Sequence, residues 1–184
     1  MFRQIELSKV ISCEHSKTHY SDVPRSWKSI KSKRFFGYHD NCVYDNKEKA
    51  LVIFGTNQNA NDIVIYKPST GEQFKMPTTG KRPPKDQHNP MCFHEGIGQT
   101  VIVIDRTPRK DGAKKSTAET WCYDLASDSW TQIPSATLPF ACGMNYNMEY
   151  DPNHKVCLLV ARVPGKFGST TAVFALKPDP SKLQ

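Results

Sequence analysis

Short apolar runs alternate with polar turns along this chain, and the pattern recurs about every fifty residues. Three solidly apolar, largely β-branched runs stand at residues 51–55, 101–104 and 156–160. Before each run comes a tight polar turn, and before that a short segment ending in an aromatic residue, at 42–45, 91–94 and 148–151. Runs this short and this rich in β-branched residues favour buried strands over helices.

Two further strands are predicted in each repeat. The third strands stand at residues 63–66, 120–123 and 172–176. The fourth begins with an aromatic residue that is followed within three positions by an apolar one, and it recurs at Trp27, Phe74 and Trp130. Four short strands joined by tight turns, repeated at this period, are typical of propeller blades. The sequence therefore predicts an all-β fold of about three four-stranded blades.

These repeats resemble kelch repeats, the family that includes the galactose-oxidase-like propellers. The matching segments are 51–55 for the second strand, 61–66 for the third, and 72–74 or 128–130 for the fourth. The resemblance covers roughly residues 26–177 and implies kelch-type β-propeller blades. The family's glycine pair after the second strand is replaced here, and the three positions read Gly55-Thr56, Asp105-Arg106 and Ala161-Arg162.

The predicted strands do not complete a ring. A lone fourth strand at 27–30 is followed by two full units and then by three strands of a last unit. The strand that this last unit lacks is also a fourth strand. Three blades are too few to close, since propellers typically have about 4–8. Either two copies close a six-bladed ring as a homodimer and exchange N-terminal strands, or the chain is a fragment of a longer propeller. Residues 1–25 are interpreted as an N-terminal arm or a remnant of a preceding blade, and 178–184 as a C-terminal tail.

Loops that follow second and fourth strands emerge at one end of the blades, and here they are long: 31–40, 55–61, 78–90, 105–119, 135–145 and 162–170. They hold about half of the basic residues in the chain: Lys31, Lys33, Arg34, Lys81, Arg82, Lys85, Arg106, Arg109, Lys110, Lys114, Lys115, Arg162 and Lys166. We expect this end to be a positively charged face around the central channel. Long loops on a rigid scaffold are also where binding sites usually lie.

Two sets of residues on this face are candidates for ligand binding. Arg106 and Arg162 follow the second strands at equivalent positions, where a guanidinium can bind a carboxylate or phosphate through two hydrogen bonds. The second set precedes the first strands: His39, Asp40, His88, Asn89 and Asn145. Asn145 stands where the other repeats have histidine, which breaks a symmetric histidine site. We therefore predict no metal and no cofactor.

Composition adds a few constraints. The chain is 38% hydrophobic and 23% charged, as expected for a folded globular domain. No apolar stretch approaches the roughly 20 residues of a membrane helix, and residues 1–10 lack the apolar core of an export signal. The net charge of +7 favours anionic partners, but no nucleic-acid-binding motif accompanies it.

The six cysteines form no CxxC pair. Cys42, Cys92, Cys122 and Cys157 fall within predicted strands and are interpreted as small buried thiols. Unpaired cysteines and the absence of an export signal slightly favour a cytoplasmic location.

The function these features favour is a non-enzymatic binding scaffold whose basic loop face takes a protein or an anionic polysaccharide. The alternative is a carbohydrate-binding or carbohydrate-active propeller: an acidic-sugar lectin, a sialic-acid isomerase or a galactose-oxidase-like enzyme. A copper radical site would require two histidines, two tyrosines and a crosslinked cysteine. Only Tyr38-His39, with Tyr146 and Cys142, offers part of that set. The aromatic residues of the repeats are expected to form the core between blades rather than a ligand cage: Trp27, Phe74, Trp130, Tyr44, Phe93 and Tyr150.

Overall fold

The computed structural model describes residues 3–4, 41–55, 62–84, 89–104, 118–133, 138, 146–165 and 168–183. These residues form an all-β fold of twelve strands in three antiparallel sheets. The strands are β1 (Arg3–Gln4), β2 (Asn41–Asp45), β3 (Ala50–Phe54), β4 (Val64–Lys67), β5 (Glu72–Lys75), β6 (Met91–His94), β7 (Gln99–Ile104), β8 (Glu119–Asp124), β9 (Ser129–Ile133), β10 (Tyr146–Asp151), β11 (Val156–Gly165) and β12 (Gly168–Leu176).

Each sheet contains four strands. The first sheet runs in the order β2-β3-β4-β5 and the second in the order β6-β7-β8-β9. The third runs β1-β12-β11-β10, so the N-terminal strand forms its edge. The predicted strands that fall on described residues are all present, which confirms the all-β prediction. No helix in the described part of the chain is long and apolar enough to cross a membrane.

Five of the hairpin turns end on a residue with positive φ, immediately before the next strand begins. These residues are Lys49 (55°), Gly71 (71°), Gly98 (64°), Asp128 (48°) and Lys155 (54°). Glycine adopts this conformation without a steric penalty, whereas the other three carry a side chain in it. Aspartates support several of these turns. Asp45 Oδ1, for example, accepts hydrogen bonds from the backbone N–H groups of Lys47 and Glu48 at 2.8 and 2.9 Å.

The second sheet lies between the other two and buries both of its faces. On one side, Ile102, Ile104 and Trp121 join Val52, Ile65 and other residues of the first sheet in one core. On the other side, Val101, Val103 and Cys122 pack with Leu159, Phe174 and other residues of the third sheet in a second core. Successive side chains on a strand point to opposite faces of the sheet. In β7 and β8 they therefore point in turn toward each of the two neighbouring sheets, rather than toward core and solvent.

The third sheet differs from the sequence prediction at residues 162–170. A long loop was predicted there, and this prediction is wrong. β11 and β12 continue as a hairpin in which Arg162 pairs with Thr171, Val163 with Thr170 and Gly165 with Gly168. The β-branched residues 163, 170 and 171 suit a strand. Pro164 is tolerated because β10 begins at Tyr146, opposite Ala161, so none of the described residues of β10 pairs with Pro164.

The edge of the third sheet is a second difference. In one of the two alternatives above, residues 27–30 of a second copy supply the missing outer strand, and residues 27–30 lie outside the described residues. In the structure Arg3 pairs with Ala175 and Gln4 with Phe174, so β1 occupies that edge. At the other end of the chain, a short 3-10 helix (Pro180–Lys182) follows β12, and Leu183 packs against the core of the second and third sheets.

Trp130 is predicted to be a major stabilising side chain of the core between the first two sheets. It is buried, and its ring centroid lies 5.2 Å from that of Phe54 and 4.8 Å from that of Tyr123. We expect Trp130→Ala to reduce the free energy of unfolding by about 3–5 kcal/mol, as for other buried aromatic residues. Chemical denaturation measures this. The control is Tyr44→Ala, because Tyr44 is 41% exposed and its removal should cost below about 1 kcal/mol. Equal effects of the two changes would contradict the assignment.

Candidate functional site

The beginnings of the first strands lie together at one end of the three sheets. β6 lies beside both β2 and β10. The first residue of β2, Asn41, is also linked to the first residue of β10, because the Nδ2 atom of Asn41 lies 3.3 Å from the hydroxyl of Tyr146. Antiparallel pairing places the ends of β3, β7 and β11 at this same end, here called the loop end. The opposite end, where the tight turns lie, is called the turn end.

A pocket of about 510 Å³ opens at the loop end of the third sheet. Its lining residues come from β10, β11 and β12: Tyr146, Asn147, Val160, Ala161, Arg162, Thr170 and Thr171. Arg162 is exposed and is paired across the hairpin with Thr171. The lining thus combines one guanidinium with hydroxyl and amide groups over the apolar side chains of Val160 and Ala161. The described lining residues include no carboxylate, and this donor set is suited to an anionic group.

Arg162 is the one predicted ligand-binding residue that the structure places in this pocket. His39, Asp40, His88, Arg106 and Asn145 lie outside the described residues. Two of their neighbours in sequence are described and are in contact, since Asn41 follows His39-Asp40 and Tyr146 follows Asn145. Asn89 is fully buried just before β6. Its participation in binding stays a prediction.

Sequence reasoning missed four of the lining residues. Tyr146 and Asn147 are the first residues of β10; from the sequence, Tyr146 was named only as part of a possible copper site and Asn147 was not assigned to a site. Thr170 and Thr171 were assigned to a loop, and only the hairpin pairing brings them beside Arg162. A search for β-branched residues on both sides of Gly165 and Gly168 would have found them.

Two further basic residues of the predicted basic face are described. The Nζ atom of Lys81 lies 5.2 Å from the centre of the Trp121 ring and 3.2 Å from Gln132 Oε1. Arg82 donates a hydrogen bond from its guanidinium to the carbonyl oxygen of Thr78. Lys81 and Arg82 therefore interact with neighbouring groups of the protein.

A buried histidine lies at the turn end, in the last position of β6. His94 Nε2 lies 3.2 Å from the carbonyl oxygen of Lys155, so this nitrogen must carry the proton and donate it. The ring centroid is 4.4 Å from that of Tyr150. His94 Nδ1 has no hydrogen-bond partner among the described residues. Burial lowers the pKa of His94 below its ordinary value of 6.5, so the ring is held neutral.

The predicted core residues have different degrees of exposure. Trp130 and Phe93 are buried, Phe74 and Tyr150 are half-buried, and Trp27 lies outside the described residues. Tyr44 is 41% exposed, so its assignment to the core is wrong. It is the one large hydrophobic side chain classed as exposed in the part of the chain that the structure describes.

The cysteines also differ in exposure. Cys92, Cys122 and Cys157 are buried in the core of the second and third sheets, as predicted, and burial raises the pKa of the Cys122 thiol to about 12. Cys42 is exposed, contrary to prediction. Among the described residues, no group of three or more His, Cys, Asp or Glu side chains is arranged to hold a metal ion.

Comparison with known proteins adds no assignment to this geometry. No protein-family model and no curated protein matches the sequence.

His94 is predicted to make stability depend on pH. The pKa of His94 is lower in the folded protein than in the unfolded chain. As the pH falls below 6.5, the unfolded chain therefore binds more protons than the folded protein, and stability is lost between the two pKa values. Replacement by Gln keeps an N–H donor for the Lys155 carbonyl but does not titrate. We expect His94→Gln to lose less stability than the wild type when urea unfolding is compared at pH 7.5 and 5.5. An identical loss in both proteins would show that His94 does not contribute to it.

Proposed function

We propose that the three sheets are kelch-type propeller blades and that the chain is a non-enzymatic scaffold that binds an anionic partner at its loop end. Three observations support the blade assignment: the repeated order of four antiparallel strands, the face-to-face packing of successive sheets, and the position of β6 beside β2 and β10. Propellers are built from such sheets arranged around a central channel.

The observation that carries the binding proposal is the pocket around Arg162. A pocket of about 510 Å³ falls within the range of about 300–1,000 Å³ that is usual for ligand sites. Arg162 supplies the charge, and Tyr146, Asn147, Thr170 and Thr171 supply hydroxyl and amide groups. These groups can bind a carboxylate and its neighbouring hydroxyls. The partner we favour is an acidic polysaccharide or an acidic segment of a protein.

A lectin or enzyme for a single acidic sugar is the second candidate function. The feature that favours it is the combination of Arg162 with hydroxyl groups and the apolar floor of Val160 and Ala161. Such a floor can accept the less polar face of a sugar ring. A scaffold for a polymer and a sugar-specific site differ in one measurable way, because only the latter should bind the free monosaccharide with saturation.

Binding to polygalacturonate at low salt tests the proposal. We expect Arg162→Gln to weaken binding about tenfold or more, because a hydrogen bond to a charged group contributes about 1.5–3 kcal/mol. Arg162→Lys should lose part of that affinity, since lysine keeps the charge but not the paired donors. Lys177→Gln is the matched control, because Lys177 is exposed beyond β12 at the turn end.

The outcomes separate the alternatives. Equal binding by the wild type and Arg162→Gln would exclude this pocket as the site. Saturable binding of free galacturonic or sialic acid that depends on Arg162 would favour the second candidate. Absence of binding to polygalacturonate and to polyglutamate would contradict the proposal as a whole.

We further propose that two copies close a ring of six blades. The support is the outer face of the third sheet, where Leu158, Val173 and Ala175 are half-buried. They alternate along β11 and β12 with residues that face the second sheet, so they point away from it. A second copy would cover this apolar face.

The mass in solution tests ring closure. Light scattering during gel filtration should give a stable mass near twice 20.8 kDa at all concentrations. A concentration-independent monomer, or a broad peak that shifts with concentration, would contradict closure by two copies and would favour a fragment of a longer propeller.

A further inference from the structure

A second pocket, of about 320 Å³, lies at the turn end between the three first strands. β2, β6 and β10 contribute equivalent positions to its lining. Tyr44, Phe93 and Tyr150 all line it, and each is the penultimate residue of its strand. All of the lining comes from one copy of the chain. The repeat thus brings three aromatic residues from different sheets to one pocket.

The aromatic side chains of this pocket differ in exposure and in the neighbouring residues that contact them. Tyr44 is 41% exposed and Phe93 is buried. The ring of Tyr150 packs on His94, and its hydroxyl lies close to Gly96, where a Cβ atom would be 3.2 Å from it. Tyr150 is therefore held in place, whereas Tyr44 presents its ring to solvent.

Two carboxylates border the same pocket, and none of its described lining residues is basic. Glu95 Oε1 accepts a hydrogen bond of 2.7 Å from Asn46 Nδ2, which also lines the pocket. Glu149 is exposed, and its carboxylate forms no hydrogen bond or ion pair with the described residues. The nearby Lys47 forms an ion pair of 3.5 Å with Asp124. The negative charge of Glu149 is thus not neutralised within the described part of the pocket.

We propose that this turn-end pocket binds a quaternary ammonium group. Aromatic faces attract cations through their quadrupoles, and trimethylated ammonium groups are bound in this way by aromatic cages. Carboxylates at the rim add attraction without the need for a hydrogen bond, which a quaternary ammonium cannot donate. The site is distinct from the Arg162 pocket in position and in charge, so it does not depend on the function proposed above.

The test compares choline with its neutral isostere, 3,3-dimethylbutan-1-ol. The two probes have nearly the same shape, so a difference in affinity reports the positive charge. We expect choline to bind with saturation in calorimetric titration at low salt, and the alcohol to bind at least about tenfold more weakly. Equal binding of both probes, or no saturable binding of choline, would overturn the proposal.

Variants locate the binding. Tyr44→Leu should weaken choline binding about tenfold, while Tyr44→Phe, which keeps the ring, should retain it. Glu149→Gln should weaken binding a few-fold and reduce its salt dependence. Glu72→Gln is the control, because Glu72 is equally a solvent-exposed carboxylate but lies on β5, outside the pocket. Unchanged affinity in both Tyr44→Leu and Glu149→Gln would overturn the proposal, as would an equal loss in Glu72→Gln.

A final comparison identifies the source of the cation. Choline is a free small molecule, whereas N-acetyl-trimethyllysine methylamide represents a modified side chain of a protein. Both probes should bind with saturation and in a Tyr44-dependent way, and the tighter of the two indicates the ligand class. Binding of both that is insensitive to Tyr44 would overturn it.

Discussion

The rest of the structure depends on the burial of both faces of the second sheet. Along β7, Val101 and Val103 pack against the third sheet, while Ile102 and Ile104 pack against the first. All four are fully buried. A shift of β7 by one residue would exchange these two sets and mismatch both cores at once, so the register of the central sheet is fixed from two sides. Without its neighbours this sheet would expose apolar residues on both faces, so we infer that the three sheets fold as one unit.

This packing gives the molecule two ends with different chemistry. Because successive strands are antiparallel and the sheets are stacked in sequence order, the beginnings of β2, β6 and β10 lie at one end and their terminal aromatic residues at the other. The loop end carries Arg162 among hydroxyl and amide groups. The turn end carries Glu95 and Glu149 beside aromatic rings. A rigid β scaffold holds both arrangements, and their opposite charges suit different ligands.

The sequence was sufficient to predict the elements whose signal is local. The runs at 101–104 and 156–160 are short, apolar and β-branched, and they are strands in the structure. It was not sufficient where pairing partners decide the outcome. Pro164, Gly165 and Gly168 read as loop residues, yet cross-strand pairing extends the hairpin through them. Arg3–Gln4 is too short to carry any local strand signal and is a strand only because β12 offers an unpaired edge.

Side-chain exposure was the least predictable property, because equivalent repeat positions do not share an environment. Tyr44 and Phe93 occupy the same position in their strands. Phe93 belongs to the sheet that has neighbours on both sides, and it is buried. Val43 packs against the core between the first two sheets, whereas its neighbours Cys42 and Tyr44 are exposed. The same reasoning applies at the other end of the stack, where Glu149 follows the core residue Met148 and is exposed. Exposure therefore follows the place of a sheet in the stack, which a repeat pattern alone does not encode. At the turn end, the proposed cation site uses Tyr44, which is exposed although its repeat equivalent Phe93 is buried.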